Sequence, residues 1–312
     1  MGKSIALHIR SASFFHGRKG TGPKVHQPVV DVVIRTISMV ILGFFVILII
    51  VPLLNYFSLA FNDPTYNENV IIFPIRWDFS SFAYLFSSNS EGFWKSFVNS
   101  LIITLVVTVI SNLIEAMAAY PLSKLDCPFR KGILMYFVIT MLFSAGIVPI
   151  YLLMRSFNLL DNIWSIILCS ISNVFNLLFY KSFFESVPKE IEEAATVDGA
   201  GSLRLFFDIV VPMALPVFGS CCFFTIVDMW NGYGAALIFI KTSATDSMPL
   251  AYYLYVMMTQ DTSKTQYDIF LQTHMDNIQA ASFLISIIPI LLIYPYVVKY
   301  IKSGATLGSV KE

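Results

Sequence analysis

Residues 186–212 read SVPKEIEEAATVDGAGSLRLFFDIVVP, a partly polar segment between two long apolar runs. The pattern predicts two short helices broken at Gly199. Ser186 is placed to cap the first, Pro188 suits its first turn, and Glu190, Glu192 and Glu193 complement the positive end of its dipole. Gly199 can take the left-handed conformation that ends a helix. Ile191, Ala194 and Ala195 recur at spacings of three and four, so they share a face on which the small alanines permit close approach by another surface. Ser202 is placed to cap a second helix whose Leu203, Phe206, Phe207 and Val210 are apolar.

On both sides of this segment the chain is more apolar than soluble proteins are. Hydrophobic residues make up 56% and charged residues 13%, with a mean hydropathy of +0.72; soluble chains run at about 45–50% and 25%. Runs of about 20 mostly apolar residues, enough to cross roughly 30 Å of hydrocarbon, occur near 37–60, 97–120, 133–154, 163–184, 213–240 and 281–300. An all-α membrane protein with six spanning helices is expected. Residues 1–36 would be a polar N-terminal tail, 37–300 the six-helix domain with segment 186–212 joining spans four and five, and 301–312 a C-terminal tail. The first run is about twice the length of a signal-peptide core, so it is expected to stay as an anchor.

Orientation follows from the basic residues, which concentrate in cytoplasmic loops. Fifteen of the twenty Lys and Arg fall in the N-terminal tail, after spans two and four, and at the C-terminus. The other five are Arg76, Lys95, Arg155, Lys241 and Lys264. Both termini and segment 186–212 are therefore expected in the cytoplasm. The outer segments become 58–96, 155–162 and 241–280, which carry Asp63, Glu68, Asp78, Glu91, Asp161, Asp246, Asp261, Asp268 and Asp276.

Several functions are disfavoured. Twenty basic and twenty acidic residues cancel, leaving no overall field for nucleic acid. Cys127, Cys169, Cys221 and Cys222 form no CxxC or Cys/His cluster, and His8, His16, His26 and His274 are scattered, so neither a metal site nor a catalytic triad is expected. The pattern GxxxxGKS/T is absent, so the chain does not supply an ATPase's phosphate-cradling loop.

Glu193-Ala194-Ala195, three residues, Gly199, nine residues and Ile209-Val210-Val211-Pro212 together resemble the EAA loop of binding-protein-dependent ABC importer permeases. The family pattern ends Ile-x-Leu-Pro, and Val211 replaces the leucine. The resemblance covers most of residues 30–312 and points to the carbohydrate-uptake branch of the maltose-transporter type, and within it to permeases for complex glycans and polygalacturonide-like oligosaccharides. Asn99-Ser100, Ala119 to Ser123, Phe143 to Tyr151, Trp230-Asn231 and Gly304 to Lys311 are similar to that branch, and 259–280 is least so. The resemblance implies the type I importer permease fold. It assigns Glu193, Ala194, Ala195, Asp198, Gly199, Ile209 and Pro212 to coupling with an ATPase. It further implies a second, related permease, two copies of a cytoplasmic ATPase holding ATP and Mg, an extracellular solute-binding lipoprotein, a sugar substrate and a bacterial plasma-membrane location, with no cofactor on this chain.

Polar residues inside the apolar runs are candidates for the translocation pathway, since such stripes face protein or water rather than lipid. Ser100, Thr104, Thr108, Ser111, Asn112 and Glu115 recur on one helical face of span two. Ser165, Cys169, Ser172, Asn173, Asn176 and Tyr180 form a second stripe in span four, and Asp228, Trp230 and Asn231 lie in span five. They could match sugar hydroxyls and stack on a pyranose, or cement helix packing; for Glu115 and Asp228 a pathway role and a structural hydrogen bond stay open. A gradient-driven transporter would also use such acids, but it would need repeated halves, which the sequence does not display. A membrane enzyme would need a nucleophile, metal cluster or acid pair. Charge and aromatic content fit neutral and acidic oligosaccharides alike.

Overall fold

A computed structural model describes residues 29–66, 72–87, 90–143, 145–259 and 269–308. His8, His16, His26, the basic residues before Val29, Glu68, Ser144, Asp261, Lys264, Asp268 and Ser309 to Lys311 lie outside the described residues. Among those described the chain is helical, and an isolated bridge between Asn62 and Trp77 is its β pairing.

The elements are α1 (Val29–Ala60), α2 (Ser80–Leu85), α3 (Glu91–Ser123), α4 (Arg130–Leu142), α5 (Ile147–Ser156), α6 (Ile163–Ser170), α7 (Val174–Phe184), α8 (Lys189–Val197), α9 (Ser202–Met213), α10 (Leu215–Asn231), α11 (Gly234–Phe239), α12 (Leu250–Thr259) and α13 (Ile269–Gly308). Four stretches are long and apolar enough to cross a membrane: Val32–Ala60, Glu91–Ser123, Ile163–Phe184 and Thr273–Tyr296. Two bent pairs qualify jointly, α4 with α5 at 103° and α9 with α10 at 80°, which brings the total to six if each pair is one span.

The breaks correct the expectation of six continuous runs. Run 133–154 is interrupted around Gly146, whose φ of +84° suits a residue without Cβ. Run 213–240 starts after a break at Ala214, with Pro216 in the first turn of α10, stops at Asn231 and resumes as α11. Run 163–184 is parted at Ile171–Asn173, where the Asn173 Oδ1 accepts from the Phe175 N–H at 3.0 Å and caps α7. Helices also enter the expected tails, since α1 begins at Val29 and α13 reaches Gly308. Segment 241–280, an outer segment long enough to carry a short helix, contains α12 with Leu250, Tyr252 and Leu254 buried.

The chain divides at Val51 and Pro52 into two units. In the first, the apolar side chains from Val32 to Val51 are exposed, as a lipid-facing helix requires. In the second, α3 runs through three buried clusters. Ala116, Ala119 and Leu122 pack with Leu177, Tyr180 and Phe184 of α7 and with Phe206, Val210, Val217 and Cys221 of α9 and α10. The alanines let these helices approach closely, as small residues do inside membranes. Ile103 and Val107 pack with Met154, Ile166, Ile167 and Phe239, and Phe93 packs with Trp230, Leu250 and Ile278.

Candidate functional site

Segment 186–212 folds into the two helices expected, but its caps differ. Pro188 is the N-cap of α8 and makes no side-chain bond, while the Ser186 Oγ donates to the Phe183 carbonyl at 2.6 Å and finishes α7 instead. Gly201, not Ser202, occupies the cap of α9. The end of α8 is as the sequence predicts. Gly199 has φ +80°, its N–H donates to the Thr196 carbonyl, and the Ala200 N–H donates to the Ala195 carbonyl, both at 3.0 Å. That pair of bonds is a Schellman ending.

Residues 205–210 of α9 form a π-helical stretch that the sequence reading missed. Pro212 supplies a cause: it lacks the N–H that the carbonyl four residues earlier would accept, so the ladder widens upstream of it. Leu205, Phe206 and Val210 point into the core, whereas Leu203 and Phe207 are exposed.

On α8, Ala195 is buried and Ile191, Glu193, Ala194 and Asp198 are exposed, so the expected common face of Ile191, Ala194 and Ala195 splits. Val197 is 88% exposed. Of the other predicted coupling residues, Ile209 is half-buried and Pro212 exposed. Glu192 turns inward and pairs with Lys124 from the end of α3, and the Lys124 ammonium also lies 4.6 Å from the centre of the Tyr120 ring. Glu185 pairs with Arg130 and, at 2.8 Å, with Lys181. Between α8 and residues 123–126 opens a cleft of about 790 Å³.

The pathway candidates fall into three places. Asn112, Glu115, Asn173 and Asn176 come together where α3, α7 and α10 meet. The Glu115 Oε1 accepts the Asn173 backbone N–H at 2.7 Å, tying α3 to the break before α7. The Asn112 Oδ1 accepts from the Tyr180 hydroxyl at 2.8 Å, and Thr225 of α10 receives the Asn112 and Asn176 amides at 3.3 and 3.2 Å. Glu115 also interacts with the Asn176 side chain, yet the Glu115 Oε2, Asn176 Oδ1, Thr108 Oγ1 and Ser111 Oγ lack a well-formed hydrogen bond among the described residues. Thr225 was missed in the sequence, where a lone threonine in an apolar run carries no periodic signal.

Trp230 sits apart. It is buried and donates its indole N–H to the Ser286 carbonyl at 2.9 Å, which locks α10 to α13. Asp228 and Asn231 share the exposed face of α10 with Phe224, whose ring meets Phe175 edge-on at 6.5 Å, and Phe175 stacks with Phe179. Elsewhere Asp161, in the turn before α6, accepts the Lys241 N–H at 2.8 Å and its ammonium at 3.0 Å. The backbone and ammonium hydrogen bonds hold the Asp161 carboxyl below the usual carboxylate range, and the carboxylate in turn holds the Lys241 ammonium above its own.

Residues 20–306 match the family described as "Binding-protein-dependent transport system inner membrane component". The chain is 31% identical to the polygalacturonan/rhamnogalacturonan transport system permease protein YtcP of Bacillus subtilis (strain 168), over 89% of this chain and 99% of that protein. It is 28% identical to the diacetylchitobiose uptake system permease protein NgcG of Streptomyces coelicolor, over 83% of each. A chain in the crystal structure of a bacterial ABC transporter involved in the import of the acidic polysaccharide alginate superposes with a TM-score of 0.78 at 28% identity, covering 88% of this chain and 98% of that one. With nearly its whole length matched and its apolar helices arranged as in that importer, the chain belongs to the family of binding-protein-dependent transport system inner membrane components, multi-pass permease proteins of the plasma membrane.

Proposed function

We propose that this chain is one of two permeases that carry an oligosaccharide inward across the membrane, and that α8 is the helix through which a cytoplasmic ATPase drives it. One observation carries the proposal. α8 presents Glu193 and Ala194 outward, ends sharply at Gly199, and is flanked by the exposed apolar Val197 and Leu203. These exposed apolar side chains offer surface that a protein contact would cover. The basic residues around this segment favour its cytoplasmic placement together with both termini. Six spans follow if each bent pair crosses once.

The pathway in this proposal runs along the α7–α10 face that bears Asn173, Phe175, Phe224, Asp228 and Asn231. An aspartate exposed on an apolar helix is costly against lipid, so this face meets water or the second permease. Its aromatic rings and amides suit the apolar and hydroxyl faces of a sugar. Relatives whose names specify polygalacturonan and alginate support an oligosaccharide, including an acidic one, as cargo. ATP and Mg reside on the ATPase, and ATP-driven closure shifts the permeases between inward- and outward-open packings. A solute-binding protein delivers the cargo from outside.

Co-expression of this chain with its ATPase and second permease tests the reading. Ala194→Arg places a long cation on the outward face of α8 and is expected to abolish co-elution of the ATPase while the chain still inserts. Undiminished co-elution refutes the docking role.

A further inference from the structure

We infer that Lys124 is a positioning residue for coupling, because its ion pair with Glu192 sets the rotation of α8 about its own axis and thereby selects the face offered to the ATPase. This rests on the docking role proposed for α8.

α8 has nine residues, and its buried side chain is that of Ala195. A single methyl group gives little purchase against rotation. Glu192 lies three residues earlier on the same face and supplies the second attachment. Lys124 reaches both oxygens of that carboxylate. The side chains are 30% and 15% exposed, so solvent screens this pair less than a surface one. Lys124 is itself fixed: it closes α3, with its N–H on the Pro121 carbonyl at 3.1 Å and its ammonium over Tyr120. A slip of one residue turns a helix by about 100°. A turn in the sense that buries Ala194 would put Glu193 where Ala194 now stands and Glu192 where Glu193 now stands, changing the surface offered to a docking partner.

The attachment also gives α8 a mechanical connection. Lys124 ends the same helix that holds Glu115, nine positions earlier, or about 14 Å along the axis. Glu115 holds the first N–H of the α7 cap through Asn173. Displacement of α8 therefore reaches the break in span four through α3 without passing along the intervening loop.

The test is a charge swap in the permease pair reconstituted in nanodiscs and titrated with purified ATPase subunit. Lys124→Glu and Glu192→Lys are each expected to weaken ATPase binding about tenfold, and the double variant to return within about threefold of the parent. The melting temperature of the permease pair should stay nearly constant throughout. Single variants that bind within about twofold of the parent overturn the inference, as does a double variant no better than the weaker single, which would mean that Lys124 touches the ATPase directly. Affinity losses that track a falling melting temperature would reduce the pair to a structural role and also overturn it. Ala194→Arg separates the two levels: tight binding by that variant defeats the docking role itself, whereas its loss beside unaffected single variants defeats only the Lys124 inference.

Discussion

Gly199 is the position at which the coupling proposal is most exposed to a quantitative test. Its φ is +80°, and a Cβ built there meets nothing within 4 Å, so substitution carries a backbone cost and no clash. An L-residue in the left-handed region costs roughly 1–2 kcal/mol, with asparagine cheaper than alanine. A nine-residue helix is marginal alone, so this cost falls on the population of α8 ready to dock. Gly199→Ala should weaken ATPase binding by a factor of about 5–30, and Gly199→Asn by less. Gly199→Pro should abolish binding, because proline requires a φ near −65° and removes the N–H that bonds Thr196. The assay is titration of the reconstituted permease pair with ATPase, paired with amide exchange across α8. If alanine binds as tightly as glycine, or if asparagine is worse than alanine, the left-handed ending is not what sets docking and the reasoning fails.

Tyr180→Phe keeps the ring contacts with Phe218 at 4.7 Å and Phe184 at 6.1 Å but removes the hydroxyl from Asn112. A loss of about 0.6–1.7 kcal/mol is expected from intramembrane hydrogen-bond magnitudes, read by equilibrium unfolding in mixed micelles; no loss would show that Asn112 finds another donor. Asp228→Leu should leave insertion and ATPase binding intact while lowering uptake of labelled oligosaccharide about tenfold or more, and unchanged uptake would remove this face from the pathway. Asp161 is the pH-sensitive contact. Because its folded pKa is depressed below 3.8, its tether to the Lys241 N–H is present above that value and disappears as pH falls through the lower folded one. The protection factor of the Lys241 amide, taken relative to its intrinsic exchange rate at each pH, should therefore stay high at pH 5 and fall only under stronger acid, with Asp161→Ala unprotected at both; protection independent of Asp161 would contradict the assignment.

Much of the fold was legible because a membrane restricts a chain to few choices. Span length and composition located the four long apolar helices found among the described residues, and the three- and four-residue spacing from Ser100 to Glu115 predicted one face, which is buried as a stripe. The breaks were not legible by that route, since hydropathy counts apolar residues and is blind to the direction a backbone takes. Gly146, Pro212 and Pro216 were visible signals, but each is tolerated in unbroken membrane helices when neighbours satisfy the freed backbone groups. The candidate pathway residues of span five were grouped by proximity in sequence, and the fold parts Trp230, which is buried, from Asp228 and Asn231, which are exposed. Two residues on a helix are about 200° apart, so Trp230 faces the core when Asp228 faces outward, while Asn231, about 300° on, stays with Asp228. The Lys124–Glu192 pair joins positions 68 residues apart, which no local pattern encodes.

The position of the unsatisfied acceptors bears on how the permease moves. The Glu115 Oε2 and Asn176 Oδ1 are buried at the one point where α3, α7 and α10 share polar contacts, beside the break in span four. Glu115 interacts with the Asn176 side chain, but in a low-dielectric interior polar groups whose bonds are not well formed carry a local penalty. Any rearrangement that brings a donor to Glu115 or Asn176 gains back part of that penalty, which lowers the cost of leaving the present arrangement. The apolar contacts around the cluster, Ala116 and Ala119 against Leu177 and Tyr180, oppose the departure. If α8 couples to an ATPase as proposed, this junction of apolar packing around a buried polar centre is where an input delivered along α3 would act.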